Sequence, residues 1–222
     1  MFRIKICGIT NLDDARHAAQ AGADAIGLNF YLGSPRCCAF DVAQQIVEDL
    51  PAHVRRVGVF VNASPEEVRK IATVLRLDLV QLHGDEPPEA LGALRGLAVV
   101  RALRVDHDFG PVHTYLERCH RLAAMPRMVL LDACVRGAYG GTGQTSDWAG
   151  LAAARSSLSG LPLVLAGGLT PANVTEAIAA VRPWGVDVAG GVEEAPGRKC
   201  FESMKAFVAA AQVAFERLAT WH

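Results

Sequence analysis

Short apolar segments, rich in β-branched residues, alternate with longer helix-like segments eight times along the 222 residues of the chain. The short segments predict eight strands, which we place at 2–8, 24–30, 54–61, 79–83, 97–105, 127–133, 162–168 and 185–191. A helix is predicted after each strand, over 11–22, 41–50, 64–75, from Pro87, over 111–122, from about Asp147, over 171–181 and over 198–217. Strands that alternate with helices in this way demand a parallel sheet with right-handed crossover connections.

The number of repeats favours one arrangement of that sheet. Eight strand–helix units close naturally into a single (β/α)₈ TIM barrel, which is an α/β fold. An open doubly wound sheet is the alternative, but it usually has fewer strands, and its dinucleotide-binding fingerprint is absent after the first strand. Because no linker or low-complexity tract divides the chain, we predict one barrel domain over residues 1–222.

Composition excludes several function classes. A formal net charge of −1 gives no argument for binding nucleic acid or an acidic membrane surface. No segment reaches the roughly 18 consecutive apolar residues of a membrane helix, and the N-terminus lacks a signal-peptide layout. Six scattered cysteines without a CxxC pair favour neither a disulfide scaffold nor a zinc site. We therefore expect a cytoplasmic protein without a metal.

Active sites of such barrels lie at the carboxyl ends of the strands, and this rule selects the candidate functional residues. The polar residues at predicted strand ends are Cys7, Asn29, Asn62, Gln81, His83, Asp132 and Asp187.

The first predicted strand has two faces. Period-two alternation separates apolar Phe2, Ile4 and Ile6 from polar Arg3, Lys5 and Cys7. We expect the apolar face to pack on helices and the polar face to point into the barrel, with Cys7 at the mouth and Lys5 one layer below. Because residues i and i+2 of a strand lie roughly 6–7 Å apart, we predict that Lys5 lowers the pKa of Cys7. The alternative is a buried, inert cysteine.

Asp132 ends the predicted sixth strand and shares a face with Leu130 and Met128. Across the barrel mouth from Cys7 it would complete an acid–base pair, in which one group donates a proton while the other abstracts one. The alternative is an ordinary acidic residue in the first turn of a loop. His83 is either a general acid or base, or a hydrogen-bonded lining residue.

Paired glycines follow the last two predicted strands. Gly167-Gly168 and Gly190-Gly191 allow backbone N–H groups to approach an anion, and loops after strands 7 and 8 are the usual phosphate site of this architecture. The alternative is that these glycines only permit tight turns. The "GGTG" segment at 140–143 is a candidate lid or third phosphate donor.

Arg36 lies in "GSPR", a long loop after the second predicted strand. There it would clamp a substrate carboxylate through a bidentate pair, or it is a solvated surface residue. With Gln81, His83 and Asp187 it makes up the candidate substrate-binding set. The residues alone thus indicate a phosphate-binding barrel enzyme that transfers protons without metal or cofactor.

A series of motifs resembles a known family. "KICGIT" (5–10), "QLHGDE" (81–86), "LAGGLTPANV" (165–174) and "GVDVAGGVE" (185–193) occur in the order found in the phosphoribosylanthranilate isomerases of tryptophan biosynthesis, an aromatic amino-acid pathway. The resemblance spans essentially the whole chain.

The resemblance implies an Amadori rearrangement of N-(5-phosphoribosyl)anthranilate to 1-(2-carboxyphenylamino)-1-deoxyribulose 5-phosphate. It implies that Asp132 is the acid that protonates the furanose oxygen, that Cys7 is the base that takes the C2 proton, and that Arg36 binds the anthranilate carboxylate. The phosphate would rest on the 167–168 and 189–191 loops, and no cofactor is needed.

Two positions depart from the family pattern. Ala189 and Gly190 stand where the family commonly has paired serines, so backbone contacts to phosphate remain and hydroxyl contacts are lost. Ser146 stands where an aromatic residue is expected.

Two other hypotheses stay open on the sequence alone. One is another phosphosugar isomerase or epimerase on a TIM barrel, and the other is a non-catalytic phosphate-ligand-binding barrel. In each case the expected partner is a small phosphorylated molecule, not a nucleic acid or a membrane, and the chain is a monomer or a homodimer.

Overall fold

A computed structural model describes residues 1–105, 108–132, 148–158 and 160–219. Within them, eight parallel strands pair in chain order, and the first also pairs with the eighth, so the sheet closes into a barrel. The strands are β1 (Ile4–Cys7), β2 (Ala25–Asn29), β3 (Arg55–Phe60), β4 (Leu79–Leu82), β5 (Val99–Arg104), β6 (Met128–Asp132), β7 (Leu163–Ala166) and β8 (Gly185–Val188). The predicted TIM barrel is confirmed.

Helices follow the strands around the outside of the barrel. They are α1 (Leu12–Gln20), α2 (Phe40–Asp49), α3 (Pro65–Val74), α4 (Pro88–Ala93), α5 (Gly110–Arg121), α6 (Trp148–Ala154), α7 (Val174–Val181) and α8 (Phe201–Ala219). None of the described helices is long and apolar enough to cross a membrane.

The helix starts follow from capping residues in the sequence. Asn11 Oδ1 accepts a hydrogen bond of 2.8 Å from the Asp14 backbone N–H at the start of α1. Ser64 does the same for Glu67 before α3, and Pro65 occupies the first helical position, where its missing N–H costs nothing.

The last predicted helix begins later than expected. Residues 198–217 were predicted as one helix, but a small antiparallel hairpin of β9 (Glu193–Ala195) and β10 (Arg198–Lys199) comes first, and α8 begins at Phe201. Gly197, with φ of +81°, makes the turn between the two strands. This hairpin brings Glu193 and Lys199 to the barrel mouth.

The core has two main layers, and β1 contributes to both. Ile4 and Ile6 pack between the sheet and the helices, as predicted, whereas Lys5 is fully buried inside the barrel. Phe2 was predicted on the helix side, and this was wrong, because it packs with the residues that fill the barrel interior. Arg3 was predicted to point inward but is exposed, with its guanidinium 4.7 Å from the Trp184 ring centroid. Strand β1 begins only at Ile4, so period-two alternation does not extend to these two residues.

Candidate active site

All eight parallel strands present their carboxyl ends at one mouth of the barrel. Cys7 is the last residue of β1, Asp132 is the last residue of β6, and His83 follows β4 directly. The sequence-predicted residues therefore share this mouth.

The Cys7 sulfur packs against the backbone of a glycine in the neighbouring strand β2. In the pairing of β1 with β2, Cys7 lies opposite Gly27. A Cβ atom built on Gly27 would be only 2.6 Å from Cys7 Sγ and 3.2 Å from Lys5 Cε. The absence of a side chain at Gly27 thus provides the space that Cys7 and Lys5 occupy.

Lys5 lies below Cys7 and is paired with Asp187. Its Nζ is 2.7 Å from Asp187 Oδ1, and the two residues face each other across the β1–β8 pairing that closes the barrel. Burial acts to lower the pKa of Lys5, but Asp187 and Cys7 outweigh it and raise that pKa, so Lys5 remains charged. Asp187, predicted to bind substrate, is a buried counter-ion here.

The predicted lowering of the Cys7 pKa was wrong. Burial raises the pKa of the Cys7 thiol and outweighs the opposing effect of Lys5, and the Asp187 carboxylate raises it further against a smaller lowering by Lys199. The Lys5 charge alone does not set this pKa, because the sulfur is desolvated and the Asp187 carboxylate neutralises Lys5.

The raised pKa predicts how Cys7 reacts with an alkylating agent. Only the thiolate reacts, so the alkylation rate of Cys7 rises with pH and has its midpoint above the ordinary thiol value of about 8.5. Cys200 is an internal reference, since hydrogen bonds from Ser203 lower its pKa and it should react at lower pH. Iodoacetamide labelling across a pH series, read by mass spectrometry of both peptides, measures this; a Cys7 midpoint below that of Cys200 would contradict it.

Gly27→Ala tests the packing of the sulfur. The new methyl group would displace Cys7 Sγ, and we expect kcat to fall by about 10²-fold, the scale of a misplacement near 1 Å. The matched control is Gly92→Ala in α4, where the nearest atom to the new methyl is 3.9 Å away. Steady-state kinetics with thermal unfolding of both variants would decide, and an unchanged kcat for Gly27→Ala would show that the sulfur position does not matter.

A chain of side chains connects Gln81 to Asp132. Gln81 is fully buried, and its Nε2 lies 2.9 Å from His83 Nδ1. Because an amide nitrogen only donates, Nδ1 is the acceptor in this contact, and the other ring nitrogen, Nε2, is 3.4 Å from Asp132 Oδ2. This arrangement favours His83 as a hydrogen-bonded residue that orients Asp132.

A buried ion pair that sequence analysis missed fixes the backbone around His83. Arg101 Nη1 lies 2.6 Å from Glu86 Oε2. Arg101 also donates to the carbonyls of Leu82 and Gly84, the residues on either side of His83, at 2.9 and 3.0 Å. A charged residue within the apolar "VVRALR" strand was the available signal.

Arg36 is engaged by a second residue that was not predicted. Its Nε and Nη2 donate to the Glu193 carboxylate at distances of 2.7 to 3.1 Å, and Glu193 also accepts from Lys199. Arg36 is therefore neither a freely solvated arginine nor an isolated clamp. The "GGVE" motif contained Glu193, but nothing local in it indicated this contact.

The paired glycines have different structural roles. Gly167 and Gly168 have φ of +92° and +65°, and a Cβ on Gly168 would meet no atom within 4 Å, so the space beside it is open. A Cβ on Gly191 would overlap the Leu169 carbonyl oxygen, so close packing of the two loops requires this glycine. Gly190 and Gly191 begin a short 3₁₀ helix, Gly190–Val192, directly after Ala189.

The remaining candidates fasten loops or fall outside the described residues. Asn29 Oδ1 accepts from the Tyr31 N–H, and Asn62 binds Glu86 and Asp85. The 140–143 loop and the departure at Ser146 lie outside the described residues. In the part of the chain that is described, no three His, Cys, Asp or Glu side chains are grouped to hold a metal ion.

Comparison with known proteins gives consistent matches along the chain. The family model described as N-(5'-phosphoribosyl)anthranilate (PRA) isomerase matches residues 4–210. The N-(5'-phosphoribosyl)anthranilate isomerase of Geobacter sulfurreducens is 48% identical over 210 residues, which cover 94% of this chain and 97% of that protein.

Solved structures agree with the sequence matches. The crystal structure of phosphoribosyl anthranilate isomerase from Thermotoga maritima is 40% identical, covers 96% of this chain and 100% of its own, and superposes with a TM-score of 0.86. A phosphoribosyl anthranilate isomerase in complex with reduced 1-(o-carboxyphenylamino)-1-deoxyribulose 5-phosphate is also 40% identical with the same coverage, at a TM-score of 0.82.

Proposed function

The chain belongs to the N-(5'-phosphoribosyl)anthranilate isomerase family and is an isomerase of tryptophan biosynthesis, and from this premise we propose that Asp132 and Cys7 are its general acid and general base. The reaction converts N-(5-phosphoribosyl)anthranilate to 1-(2-carboxyphenylamino)-1-deoxyribulose 5-phosphate. The observation that carries the proposal is that Cys7 and Asp132 end strands β1 and β6 at the same barrel mouth.

Asp132 acts in the first step. Its carboxyl group gives a proton to the furanose ring oxygen, the bond from C1 to that oxygen breaks, and the lone pair of the anthranilate nitrogen forms an iminium ion. The contact of Asp132 with His83 Nε2, 3.4 Å away, supports this role because it fixes the direction of the carboxyl group.

Cys7 acts in the second step. Its thiolate takes the proton from C2, and the electrons of that bond form a C1–C2 double bond while the iminium nitrogen regains its lone pair. The resulting enolamine tautomerises to the ketone. The raised pKa of Cys7 means that its thiolate, once formed, is a strong base for this proton. The iminium ion of the substrate accepts the electrons, so we expect no cofactor.

The two anionic ends of the substrate need separate sites. We assign the anthranilate carboxylate to Arg36 and the phosphate to backbone N–H groups of Gly167, Gly168 and the 189–191 loop. Ala189 and Gly190 provide no hydroxyl groups, so this phosphate site relies on the backbone and on the open space beside Gly168. We place His83 beside the ribose between these sites, with the fully buried Gln81 behind it as its hydrogen-bond partner.

Complementation tests the activity in a cell. Expressed in a tryptophan auxotroph that lacks this isomerase, the chain should restore growth without tryptophan. Failure to restore growth despite soluble expression would revive the two alternative hypotheses. A chelator distinguishes the proposed isomerase from a metal-dependent epimerase. The chelator should leave the activity of the isomerase unchanged and should inhibit the epimerase.

The setting of the enzyme is also a proposal. We propose that residues 1–222 form one catalytic barrel domain that works in the cytoplasm on a small-molecule substrate, as a monomer or a homodimer. Sedimentation of the purified chain distinguishes the two assembly states.

A further inference from the structure

We propose that Glu193 is a positioning residue for Arg36, and that it sets the orientation in which Arg36 meets the substrate carboxylate. This inference rests on the proposed binding role of Arg36. It concerns three residues, Arg36, Glu193 and Lys199, which we call the Arg36 cluster.

The guanidinium is held by one of its two hydrogen-bonding edges. Glu193 accepts from Arg36 Nε at 2.9 Å and from Nη2 at 2.7 Å, which occupies the side edge of the planar group. Arg36 Nη1 makes no hydrogen bond to any of the described residues, so the end edge formed by the two Nη groups is available. That edge matches a second carboxylate in a bidentate arrangement.

Glu193 is itself fixed from several directions. Its side chain is only 5% exposed, and Oε1 accepts from Lys199 Nζ at 2.8 Å and from the Gly197 N–H at 3.3 Å. Burial opposes the charged form of Glu193, but hydrogen bonds from Arg36 and Lys199 outweigh it and lower its pKa, so Glu193 stays ionised. Because the Glu193 carboxylate is fixed in place, the Arg36 guanidinium that binds it has a single orientation.

Lys199 connects the cluster to the proposed phosphate loop. Its side chain is 0% exposed, and besides Glu193 its Nζ donates to the Ala189 carbonyl at 3.1 Å. The Lys199 backbone N–H donates to Asp14 in α1 at 3.0 Å, which anchors the hairpin to the outer helices. The cluster therefore keeps Arg36 and the Ala189 loop at a fixed separation, as a substrate with an anion at each end requires.

The charges of the cluster favour an incoming anion. Arg36 and Lys199 share the single carboxylate of Glu193, so the cluster has one net positive charge while Lys199 is protonated, although burial lowers the pKa of Lys199. The Arg36 side chain is 30% exposed, so the site is half-buried. The nearby Lys5–Asp187 pair adds no net charge. A substrate carboxylate at the open edge of Arg36 balances the cluster.

A double-mutant cycle tests whether Glu193 acts through Arg36. The variants are Glu193→Gln, Arg36→Met and the double variant, and the readouts are KM, kcat and the inhibition constant of the reaction product. We expect Glu193→Gln to weaken product binding about tenfold, which is about 1.4 kcal/mol, and to raise KM similarly with kcat within about twofold. In the Arg36→Met background the same change should have no further effect.

A ligand without the carboxylate removes the remaining ambiguity. The phenylamino analogue of the product lacks only the anthranilate carboxylate, and its inhibition constant should be the same for wild type and Glu193→Gln. Glu193→Asp is the substitute variant if Glu193→Gln folds poorly. It keeps the negative charge but moves it away from Arg36, so it should weaken binding of the product and leave binding of the carboxylate-free analogue unchanged. The control is Glu194→Gln, whose side chain is 52% exposed and pairs only with the exposed Arg198 among the described residues.

Two results overturn the inference. One is an equal loss from Glu193→Gln with and without Arg36, and the other is an equal loss for the product and its carboxylate-free analogue, since either indicates a general structural role. If Arg36→Met itself leaves product binding unchanged, the carboxylate assignment of Arg36 fails as well. Turnover by the wild-type enzyme remains a separate test of the proposed function.

Discussion

Cys7→Ala is expected to lower kcat by roughly 10²- to 10⁴-fold, the range that a positioned acid or base contributes. The substitution removes the sulfur that we assign as the base and leaves only a methyl group beside Gly27. Because a single atom is lost at a partly exposed position, we expect unfolding free energy to change by only about 1 kcal/mol. Steady-state kinetics at substrate saturation measures kcat, and unfolding of the same preparation followed by circular dichroism measures the free energy of unfolding.

The matched control removes a thiol that lies away from the barrel mouth. Cys119 lies in α5 on the outside of the barrel and is fully buried. Cys119→Ala should lose stability by a similar amount and keep wild-type kcat. If Cys7→Ala keeps wild-type kcat as well, Cys7 is not the base.

Asp132→Asn is the second large effect, again roughly 10²- to 10⁴-fold in kcat. Asparagine has nearly the same shape, and its side-chain oxygen can keep the 3.4 Å contact with His83 Nε2, so we expect the geometry at the mouth to be preserved. What it lacks is a carboxyl proton to give to the furanose oxygen. The comparison therefore isolates proton donation from substrate positioning.

Asp49→Asn is the control for this substitution. Asp49 ends α2 and makes an exposed ion pair with Arg16, far from any role in the proposed reaction. Its kcat should equal that of wild type. An Asp132→Asn enzyme that turns over at the same rate would remove Asp132 from the mechanism.

The barrel could be predicted from the sequence because its strands and helices are each defined by short, local patterns of residues. The eight alternations, the Asn11 and Ser64 caps and the polar strand ends each depend on a few neighbouring residues. Period-two alternation holds only within the strand itself. It placed Ile4, Ile6 and Lys5 correctly but failed for Phe2, which precedes β1.

The site contacts that sequence analysis missed join distant parts of the chain. Arg36 and Glu193 are 157 residues apart, and the β9–β10 hairpin brings them together. Lys5 meets Asp187 only because β8 closes onto β1. Burial of the sulfur is the main reason why the Cys7 pKa was predicted in the wrong direction, and the Asp187 carboxylate adds to it. The effect of a charged side chain on the pKa of its neighbour can be predicted only when the counter-ion of that side chain is known.

In the proposed reaction Cys7 breaks the C2–H bond of the substrate, and the loss of that bond can be followed directly. In the NMR spectrum, the C2–H resonance of N-(5-phosphoribosyl)anthranilate disappears as C2 becomes the carbonyl carbon of the product. With equal amounts of folded protein, we predict that wild type removes this resonance and that Cys7→Ala does so at least about 10²-fold more slowly. Disappearance at the wild-type rate with Cys7→Ala would contradict the account.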